Sequence, residues 1–271
     1  MTAEVVTEHT RHAFDAAAPY YDLAYENLEG IKRLRSITVQ MFLHYFQPGR
    51  MLLELNCGTG TDAVFLAHQG IKVLATDLSP IMINEAQRKI ESEGLREFIE
   101  TQLLPFDALE TLRGRLFDGA YSNLGGLNCT NDLDSIAASL STLIRPRGYF
   151  IATVMPDFCL WETVAFVARF QWKRALRRRH PEGSLASLHG GTVRTYYHSP
   201  RKLFASFSLQ FDLVETVGLN IFTPPPNSTQ AYAALGRVMN LLEKLETMTA
   251  HLPMFSAMGD HFIMVLRRKT S

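Results

Sequence analysis

The sequence has few cysteines, no excess of charge and no long hydrophobic segment. Its 271 residues include three cysteines, Cys57, Cys129 and Cys159, which lie far apart and form no CxxC pair. A disulfide scaffold or a zinc site would need closely spaced or paired cysteines, so neither is expected, and we predict no bound metal. A reducing compartment fits this cysteine content best.

Charge and hydropathy exclude further classes. The 27 basic residues balance the 27 acidic ones, so overall charge favours neither nucleic acid nor an anionic membrane as a partner. The longest apolar-rich stretch, 158–172, contains Glu162 and Arg169 and is shorter than the roughly 18 residues of a membrane-spanning helix. The N-terminus has no signal-peptide core. We expect a cytoplasmic protein without a membrane partner, and its oligomeric state stays open.

The first half of the chain alternates short apolar segments with helical ones. Strands are predicted at 51–55, 72–76, 117–122 and 149–154, with helices between them. Strand and helix in alternation indicate a parallel sheet with helices on both faces.

The second half follows another pattern. One helix is predicted from Asp157 through residue 180, then a Gly/Ser-rich loop at 182–191 and a strand at 192–198. Strands at 211–222 and 260–269 enclose an insertion. The insertion is predicted to contain a helix after "TPPPNS" (223–228), and one face of it carries Ala231, Leu235, Val238, Leu241, Leu242 and Leu245.

The stretch "MLLELNCGTGTDAVFLAHQGIKVLATDLSP" (51–80) contains a strand, a glycine turn, a helix and a second strand ending at Asp77. Its GxGxxA pattern, with an acid at ribose distance, also occurs in nicotinamide enzymes. However, Glu54 and Asp62 would crowd a pyrophosphate at the helix N-terminus. S-adenosylmethionine carries an ammonium and a sulfonium and no phosphate, so the acidic loop suits it better.

The segment "LELNCGTG" resembles motif I of the class I S-adenosylmethionine-dependent methyltransferases. This resemblance implies that Glu54 organises the methionine end of the cofactor and that the backbone at Gly58 and Gly60 approaches it. In "ATDLSPIMINEA", which resembles the following segment, Asp77 would bind the ribose hydroxyls. The first loop glycine of the family is Asn56 here, and asparagine tolerates left-handed backbone conformations.

Three further segments resemble the same family. In "LLPFDALE", Asp107 and Ala108 would contact the adenine. In "FDGAYSNLGGLN", the end of the fourth strand would line the passage between cofactor and acceptor, and the lack of an Asn-Pro-Pro-aromatic motif argues against a DNA adenine methyltransferase. The "AFDAAAPYYDLAY" segment implies an N-terminal helix over the cofactor, with Tyr21, or alternatively Tyr20, at the methionine carboxylate.

The resemblance thus implies a full set of site residues. The implied cofactor-binding residues are Tyr21, Glu54, Asn56, Cys57, Gly58, Thr59, Gly60, Asp77, Leu78, Ser79, Met82, Phe106, Asp107, Ala108, Ser122, Asn123 and Leu124. The candidates for the acceptor pocket are Tyr20, Gly125, Asn128, Trp161, Tyr196 and Tyr197.

Two other features have alternative interpretations. His198 lies in a predicted cap and titrates near neutral pH, so it is a candidate general base, although a lone histidine is more often a cap or surface residue. The basic run "KRALRRRH" is interpreted as a solvated helix end, since cations there complement the helix dipole, with a patch for nucleic acid or anionic lipid as the alternative.

The resemblance implies an α/β fold, a Rossmann-like seven-stranded and mostly parallel sheet whose last-formed strand is antiparallel, with helical cap insertions. We expect one domain, 1–271, and its parts are an N-terminal helical cap (1–47), a cofactor-binding core (48–156), a cap insertion (157–200) and a C-terminal part (201–271) with a helical insertion at 224–258.

The implied function is direct, in-line methyl transfer from S-adenosylmethionine to an O, N or C nucleophile of a small molecule, with S-adenosylhomocysteine as product. Aromatic residues in the caps favour an apolar or aromatic acceptor. The alternatives are an NAD(P)-dependent oxidoreductase, an RNA methyltransferase that uses the Arg-rich helix, and a non-catalytic protein that binds S-adenosylmethionine.

Overall fold

The computed structural model describes residues 3–25 and 27–270. Its centre is a seven-stranded sheet of order β3-β2-β1-β4-β5-β9-β8, in which β9 runs antiparallel to both neighbours. The predicted sheet and its single antiparallel strand are therefore confirmed. The strands are β1 (Met51–Glu54), β2 (Lys72–Asp77), β3 (Ile99–Leu103), β4 (Phe117–Ser122), β5 (Ile144–Val154), β6 (Ser184–Leu188), β7 (Gly191–Thr195), β8 (Phe211–Leu219) and β9 (His261–Arg268).

Helices cover both faces of this sheet because consecutive residues of its central strands are apolar. Leu52 of β1 and Val73 of β2 belong to the core on one face, and Leu53 and Leu74 to the core on the other. The helices are α1 (Ala3–Ala17), α2 (Tyr21–Tyr25), α3 (Glu29–Tyr45), α4 (Thr61–His68), α5 (Pro80–Ser92), α6 (Leu133–Leu143), α7 (Leu160–Val167), α8 (Trp172–Ala175), α9 (Pro200–Phe207), α10 (Thr229–Leu235), α11 (Val238–Thr249) and α12 (Pro253–Ser256).

Short polar residues fix where the helices begin. The Ser79 hydroxyl accepts a hydrogen bond from the Met82 N–H at 3.1 Å, with Pro80 in the first helical turn, so α5 begins directly after β2. Asp132 caps α6 in the same way, through the Ser135 N–H at 3.1 Å. These caps set the chain direction at the carboxyl edge of the sheet.

The predicted helix from Asp157 to residue 180 is wrong. The chain forms α7, then a turn at Phe170 with a left-handed φ of 57°, then the short α8 and a single 3-10 turn at Arg177–Arg179. The apolar periodicity of the segment did not reveal this turn, because the turn occurs at an aromatic residue and has no glycine or proline to mark it.

The Gly/Ser-rich segment predicted as a loop is also different in the structure. Residues of β6 pair with β7 in an antiparallel hairpin, from Ser184 opposite Thr195 to Leu188 opposite Gly191. A Cβ placed on Gly190 or Gly191 would lie 3.3 Å from α1, so the hairpin turn packs directly on that helix. Packing against α1 therefore decides the structure of a segment whose composition is typical of a loop.

The helix predicted after residue 229 is divided by Gly236 into α10 and α11. Its apolar face is not buried: Val238, Leu241 and Leu245 are 50%, 59% and 40% exposed. Among residues 3–25 and 27–270, no helix has both the length and the apolar character that crossing a membrane requires.

Candidate functional site

A cavity of about 630 Å³ lies at the carboxyl ends of β1, β2 and β4. Its wall is formed by the loops that follow these strands, by the segment after β3, and by residues of α1 and α3. Open α/β sheets bind their ligands at this edge, because the connecting loops diverge there and leave a crevice.

The loop after β1 presents bare backbone to the cavity. Gly58 has a φ of 53°, and a Cβ placed on it would meet no atom within 4 Å beyond its chain neighbours. Its N–H donates to Oδ2 of Asp77 at 2.8 Å, and the Ser79 N–H donates to Oδ1 at 2.9 Å. Both oxygens of Asp77 are thus fixed at the wall. Burial raises the pKa of Asp77 to about 6, although these N–H groups favour its ionised form.

The backbone of Asn56 is not left-handed, although its tolerance of that conformation was the reason why an asparagine seemed suitable at this position. Its side-chain amide is used instead. Nδ2 donates to the carbonyl of Asn123 at 2.9 Å, and Oδ1 accepts from the Ser122 hydroxyl at 2.5 Å. Asn56 therefore joins the loop after β1 to the loop after β4.

The loop after β4 is held in a strained form at the cavity wall. Leu124 has a left-handed φ of 50°, which is uncommon for a non-glycine residue, and Gly125 follows with 81°. The Asn123 side chain accepts from the Leu124 N–H at 2.9 Å, and the Gly125 N–H donates to the Thr153 carbonyl at 3.0 Å. These bonds hold the loop in place along the cavity.

One end of the cavity concentrates charge. Arg35 of α3 pairs with Asp62 at 2.5 Å, and Asn123 donates to the other oxygen of Asp62 at 2.8 Å. Glu54 is fully buried next to this pair, and its Oε2 has no hydrogen-bond partner among the described residues. Burial and the nearby Asp62 raise the pKa of Glu54 well above its ordinary value. An ammonium and a carboxylate, as in an amino acid, fit this mixture of charges.

The N-terminal helices close the cavity from above. Thr10 and Phe14 of α1 belong to the wall. Asp15 accepts from the Ser79 hydroxyl at 2.5 Å, while Asp22 accepts from the Thr59 hydroxyl at 2.5 Å. Two carboxylates thus hold α1 and α2 against the loops of the sheet.

The structure brings most of the predicted site residues to this wall. On it are Tyr21, Asn56, Cys57, Gly58, Thr59, Asp77, Leu78, Met82, Phe106, Asp107, Asn123, Leu124, Gly125 and Tyr196. The predicted site residues that do not line it are Tyr20, Glu54, Gly60, Ser79, Ala108, Ser122, Asn128, Trp161, Tyr197 and His198.

Several other wall residues were not predicted from the sequence to be site residues. They are Val6, Thr7, Thr10, Phe14, Arg35, Thr61, Asp62, Cys129, Thr130, Asn131 and Asp132, among others. The N-terminal "FDAAAPYYD" segment signalled that α1 would cover the site. Nothing in the sequence singled out Arg35, since it is one of several basic residues on an amphipathic helix.

His198 is buried and does not line the cavity. Its Nε2 lies 2.9 Å from the Thr130 carbonyl and 3.3 Å from that of Leu127, so Nε2 carries the proton and donates. Burial lowers the pKa of His198 to about 4. This position does not support the predicted general base.

Four of the acceptor-pocket candidates do not line the cavity. Asn128 is fully buried, and its amide donates to two backbone carbonyls. Tyr197 packs below a guanidinium, and Tyr20 is half exposed. Trp161 lies at a separate groove.

Only part of the basic run after α7 is solvated: Lys173, Arg174 and Arg179 are exposed, whereas the two arginines between them are paired. Arg178 is buried and pairs with Glu162 at 2.8 Å and with Asp260 at 2.5 Å, and Arg177 pairs with Glu162 as well. The two arginines therefore fasten the segment after β5 to the start of β9. Because their charge is neutralised by Glu162 and Asp260, Arg177 and Arg178 themselves give no support to a nucleic-acid patch.

Comparison with known proteins matches this chain to methyltransferases. Residues 52–148 match the family described as "Methyltransferase domain". The chain is 23% identical to the uncharacterized protein MJ1252 of Methanocaldococcus jannaschii, over 78% of this chain and 80% of that protein. It is 27% identical to the uncharacterized methyltransferase sll0829 of Synechocystis, over 69% and 85% of the two chains. The crystal structure of the [4+2]-cyclase SpnF has the same fold, with a TM-score of 0.66, 13% identity, and coverage of 98% and 97%.

The matched domain, the methyltransferase relatives and the sheet order support a class I S-adenosylmethionine-dependent methyltransferase. Its cofactor is accordingly S-adenosylmethionine, and the nicotinamide alternative is set aside. The residues present fit this cofactor: the Gly58 backbone leaves open space, Asp77 offers fixed acceptors, and Glu54 is a buried acid with an unpartnered oxygen among the described residues.

Proposed function

We propose that this cavity binds S-adenosylmethionine together with a small, uncharged acceptor, and that methyl transfer takes place between them. One observation carries the proposal. The same cavity is lined by the residues proposed to bind the cofactor and by a second set of residues that are mostly neutral. This second set contains Phe14, Leu124, Cys129, Thr130 and Tyr196. The volume of about 630 Å³ falls within the range of small-molecule sites.

Three groups of the chain would hold the cofactor. Asp77, with its oxygens fixed by two N–H groups, would accept hydrogen bonds from the ribose hydroxyls. Arg35 and Asp62 would bind the carboxylate and ammonium of the methionine end. Phe106 and Asp107, on the segment after β3, would contact the adenine.

Bound S-adenosylmethionine supplies an electrophilic methyl group on a sulfonium, so the chain has to position the acceptor and exclude water. The loop after β4, held by Asn123 and Asn56, forms one side of the cavity, and α1 with Phe14 excludes water from above. Cys129 is the thiol of the second set, and burial raises its pKa to about 12. It stays protonated at neutral pH and does not compete for the methyl group.

The charges of the wall favour a neutral acceptor. Arg35, Asp62, Asp77 and Asp107 belong to the cofactor side in this proposal. Asp132, on the acceptor side, already accepts a hydrogen bond from the N-terminus of α6. An acceptor whose nucleophile is an enol, a phenol or a conjugated carbon meets these requirements, since its bulk is apolar.

A second candidate is ring closure of a bound polyene without methyl transfer. SpnF, whose fold spans nearly the whole of this chain, is a [4+2]-cyclase. The described wall residues include no histidine or lysine that could act as a base, and a pericyclic reaction needs none.

The test combines binding and product analysis. Calorimetry with S-adenosylhomocysteine should show binding that Asp77→Asn and Arg35→Met each weaken by tenfold or more, at roughly 1.4 kcal/mol or more per variant. Leu209→Ser, at an exposed site away from the cavity, should leave it unchanged. Incubation with S-adenosylmethionine and a panel of phenols, enols and polyenes is then followed by mass spectrometry.

The two candidates give different products. A product heavier by one CH₂ with an equal amount of S-adenosylhomocysteine supports methyl transfer. An isomer of the acceptor, formed while S-adenosylmethionine is unchanged, supports ring closure. Absence of cofactor binding in the unmodified protein would contradict methyl transfer, and absence of an isomer with every polyene would contradict ring closure.

A further inference from the structure

A second surface of the protein is apolar, exposed and locally basic, and it lies outside the cofactor cavity. The turn between α7 and α8 presents Phe170 and Trp172, which are 81% and 58% exposed. Phe170 also holds a left-handed φ of 57°, a conformation that non-glycine residues rarely adopt. A folded chain seldom keeps an exposed aromatic tip on a strained backbone without a use for it.

This tip continues into an open groove of about 1,340 Å³ between α7 and the helical insertion. Trp161, Val164 and Phe166 of α7 form one side, while Phe222 and Leu242 form part of the other. The groove is therefore lined mainly by apolar side chains that no described element covers.

Helix α11, whose Leu242 lines the groove, carries a further exposed apolar stripe. Val238, Leu241, Leu245 and Met248 follow one another at intervals of three or four residues and are all exposed. Such a stripe normally packs on a core. Here, in the part of the chain that the structure describes, it faces outward.

The charge on this surface has one sign around the tip. Residues 168–176 contain Arg169, Lys173 and Arg174 and no acid. None of the three has an acidic partner among the described residues, and Arg174 lies over the Phe166 ring at 4.5 Å. Glu162, the acid of α7, is already paired with two arginines of the following turn. The patch is thus cationic although the whole chain carries no net charge.

We propose that this face, consisting of residues 161–176, the groove and the exposed stripe of α11, docks on the surface of an anionic lipid bilayer. Protruding aromatic residues insert at the level of the headgroups, flanking lysine and arginine residues meet the lipid phosphates, and the apolar groove and stripe rest on the acyl boundary. Attachment of this kind is peripheral and needs no spanning helix. The proposal goes beyond the methyltransferase function and does not depend on it.

The proposal departs from the expectation drawn from net charge, because the attraction is local. Charge complementarity also favours a bilayer over a second copy of the chain. Two copies meeting through this face would bring Arg169, Lys173 and Arg174 of each close to those of the other, and like charges repel. Anionic lipid headgroups offer the opposite charge in the same place.

Flotation of the full chain with vesicles tests the proposal. The protein should float with vesicles of phosphatidylcholine and phosphatidylglycerol at low ionic strength, and much less with phosphatidylcholine alone or at high salt. Lys173→Gln/Arg174→Gln should weaken the partition on the order of 30-fold. Phe170→Ser/Trp172→Ser should abolish it.

Matched control variants test whether the loss of vesicle binding is specific to this face. Leu209→Ser removes an exposed apolar side chain elsewhere, and Lys72→Gln/Arg147→Gln removes two exposed cations elsewhere. Both should float as the unmodified protein does. Thermal unfolding and S-adenosylhomocysteine binding should be the same for all variants, because none touches the cavity.

Three results would overturn the proposal. In the first, the unmodified protein is absent from the floating fraction with anionic vesicles. In the second, the control variants lose binding as much as the tip variants do. In the third, the protein binds no vesicles and sediments as a dimer that Phe170→Ser/Trp172→Ser dissociates, in which case the face joins two copies of the chain.

Discussion

The side-chain amide of Asn56 occupies the space that a side chain at position 126 would need. A Cβ placed on Gly126 would overlap Cγ, Oδ1 and Nδ2 of Asn56. The same amide bonds the Asn123 carbonyl and the Ser122 hydroxyl. Position 56, where this chain departs from the glycine of its family, is thus matched to a glycine in the loop after β4.

This match predicts a compensating pair of substitutions. Gly126→Ala should destabilise the protein by about 1–3 kcal/mol, since overpacking against the Asn56 amide forces one loop to move. Asn56→Gly/Gly126→Ala should regain part of that loss, because the overlapping amide is gone. Urea unfolding followed by circular dichroism measures both. If the double variant is less stable than Gly126→Ala alone, the two residues do not conflict as described.

The raised pKa of Asp77 predicts that cofactor binding depends on pH. Hydrogen bonds from ribose hydroxyls need the ionised carboxylate, so affinity for S-adenosylhomocysteine should be constant above pH 7. It should fall by about tenfold per pH unit below the folded pKa of about 6. In the cofactor-free protein, the contribution of Asp77 to the free energy of unfolding should fall as pH rises from 4 to 6, because the folded state binds the Asp77 proton more tightly than the unfolded state does. Calorimetry between pH 5 and 8 tests the binding, and Asp77→Asn should be weak and independent of pH.

Arg178 is predicted to be a structural residue. Burial alone would raise the pKa of Asp260, but Arg178 and His261 hold it well below its ordinary value. Arg178→Met would leave Asp260 buried without its cation, at a cost of about 3–5 kcal/mol. Arg201→Met, at an exposed position in the first turn of α9, should change the free energy of unfolding by no more than about 0.5 kcal/mol. Equal effects of the two substitutions in urea unfolding would refute the structural role.

His198 should affect stability rather than catalysis. Its folded pKa of about 4 lies below the unfolded value of about 6.5, so stability is full above pH 6.5 and declines by about 3 kcal/mol as pH falls through 4. His198→Gln should flatten this dependence and keep the pH profile of methyl transfer. Loss of turnover without loss of stability at pH 7.5 would instead restore the general base.

Part of the cavity wall could be predicted from the sequence because its signals are local. Gly58 and Asp77 lie within a few residues of where a strand ends or a helix begins, and these ends show in the apolar pattern. The rest of the wall could not be predicted in this way. Arg35 and Cys129, for example, belong to separate segments, and no periodicity says that they meet.

The errors have the same physical origin. The strand at Ser184–Leu188 exists because it pairs with β7 and packs near α1, although its residues are typical of a loop. In the sequence, His198 was a candidate general base. In the structure, the carbonyl of Thr130, which is distant along the chain, accepts a hydrogen bond from its Nε2.

The order of residues alone was enough to predict a mostly parallel sheet and its cofactor, since alternating elements indicate such a sheet and the acidic loop disfavours a pyrophosphate. Three arrangements could be recognised only in the folded structure. Asn56 lies against Gly126, Arg178 is buried, and no described element covers the face around Phe170. Each depends on which distant segments come into contact. The free energy of such a contact depends on both segments together, so it cannot be predicted from the residues of either one alone.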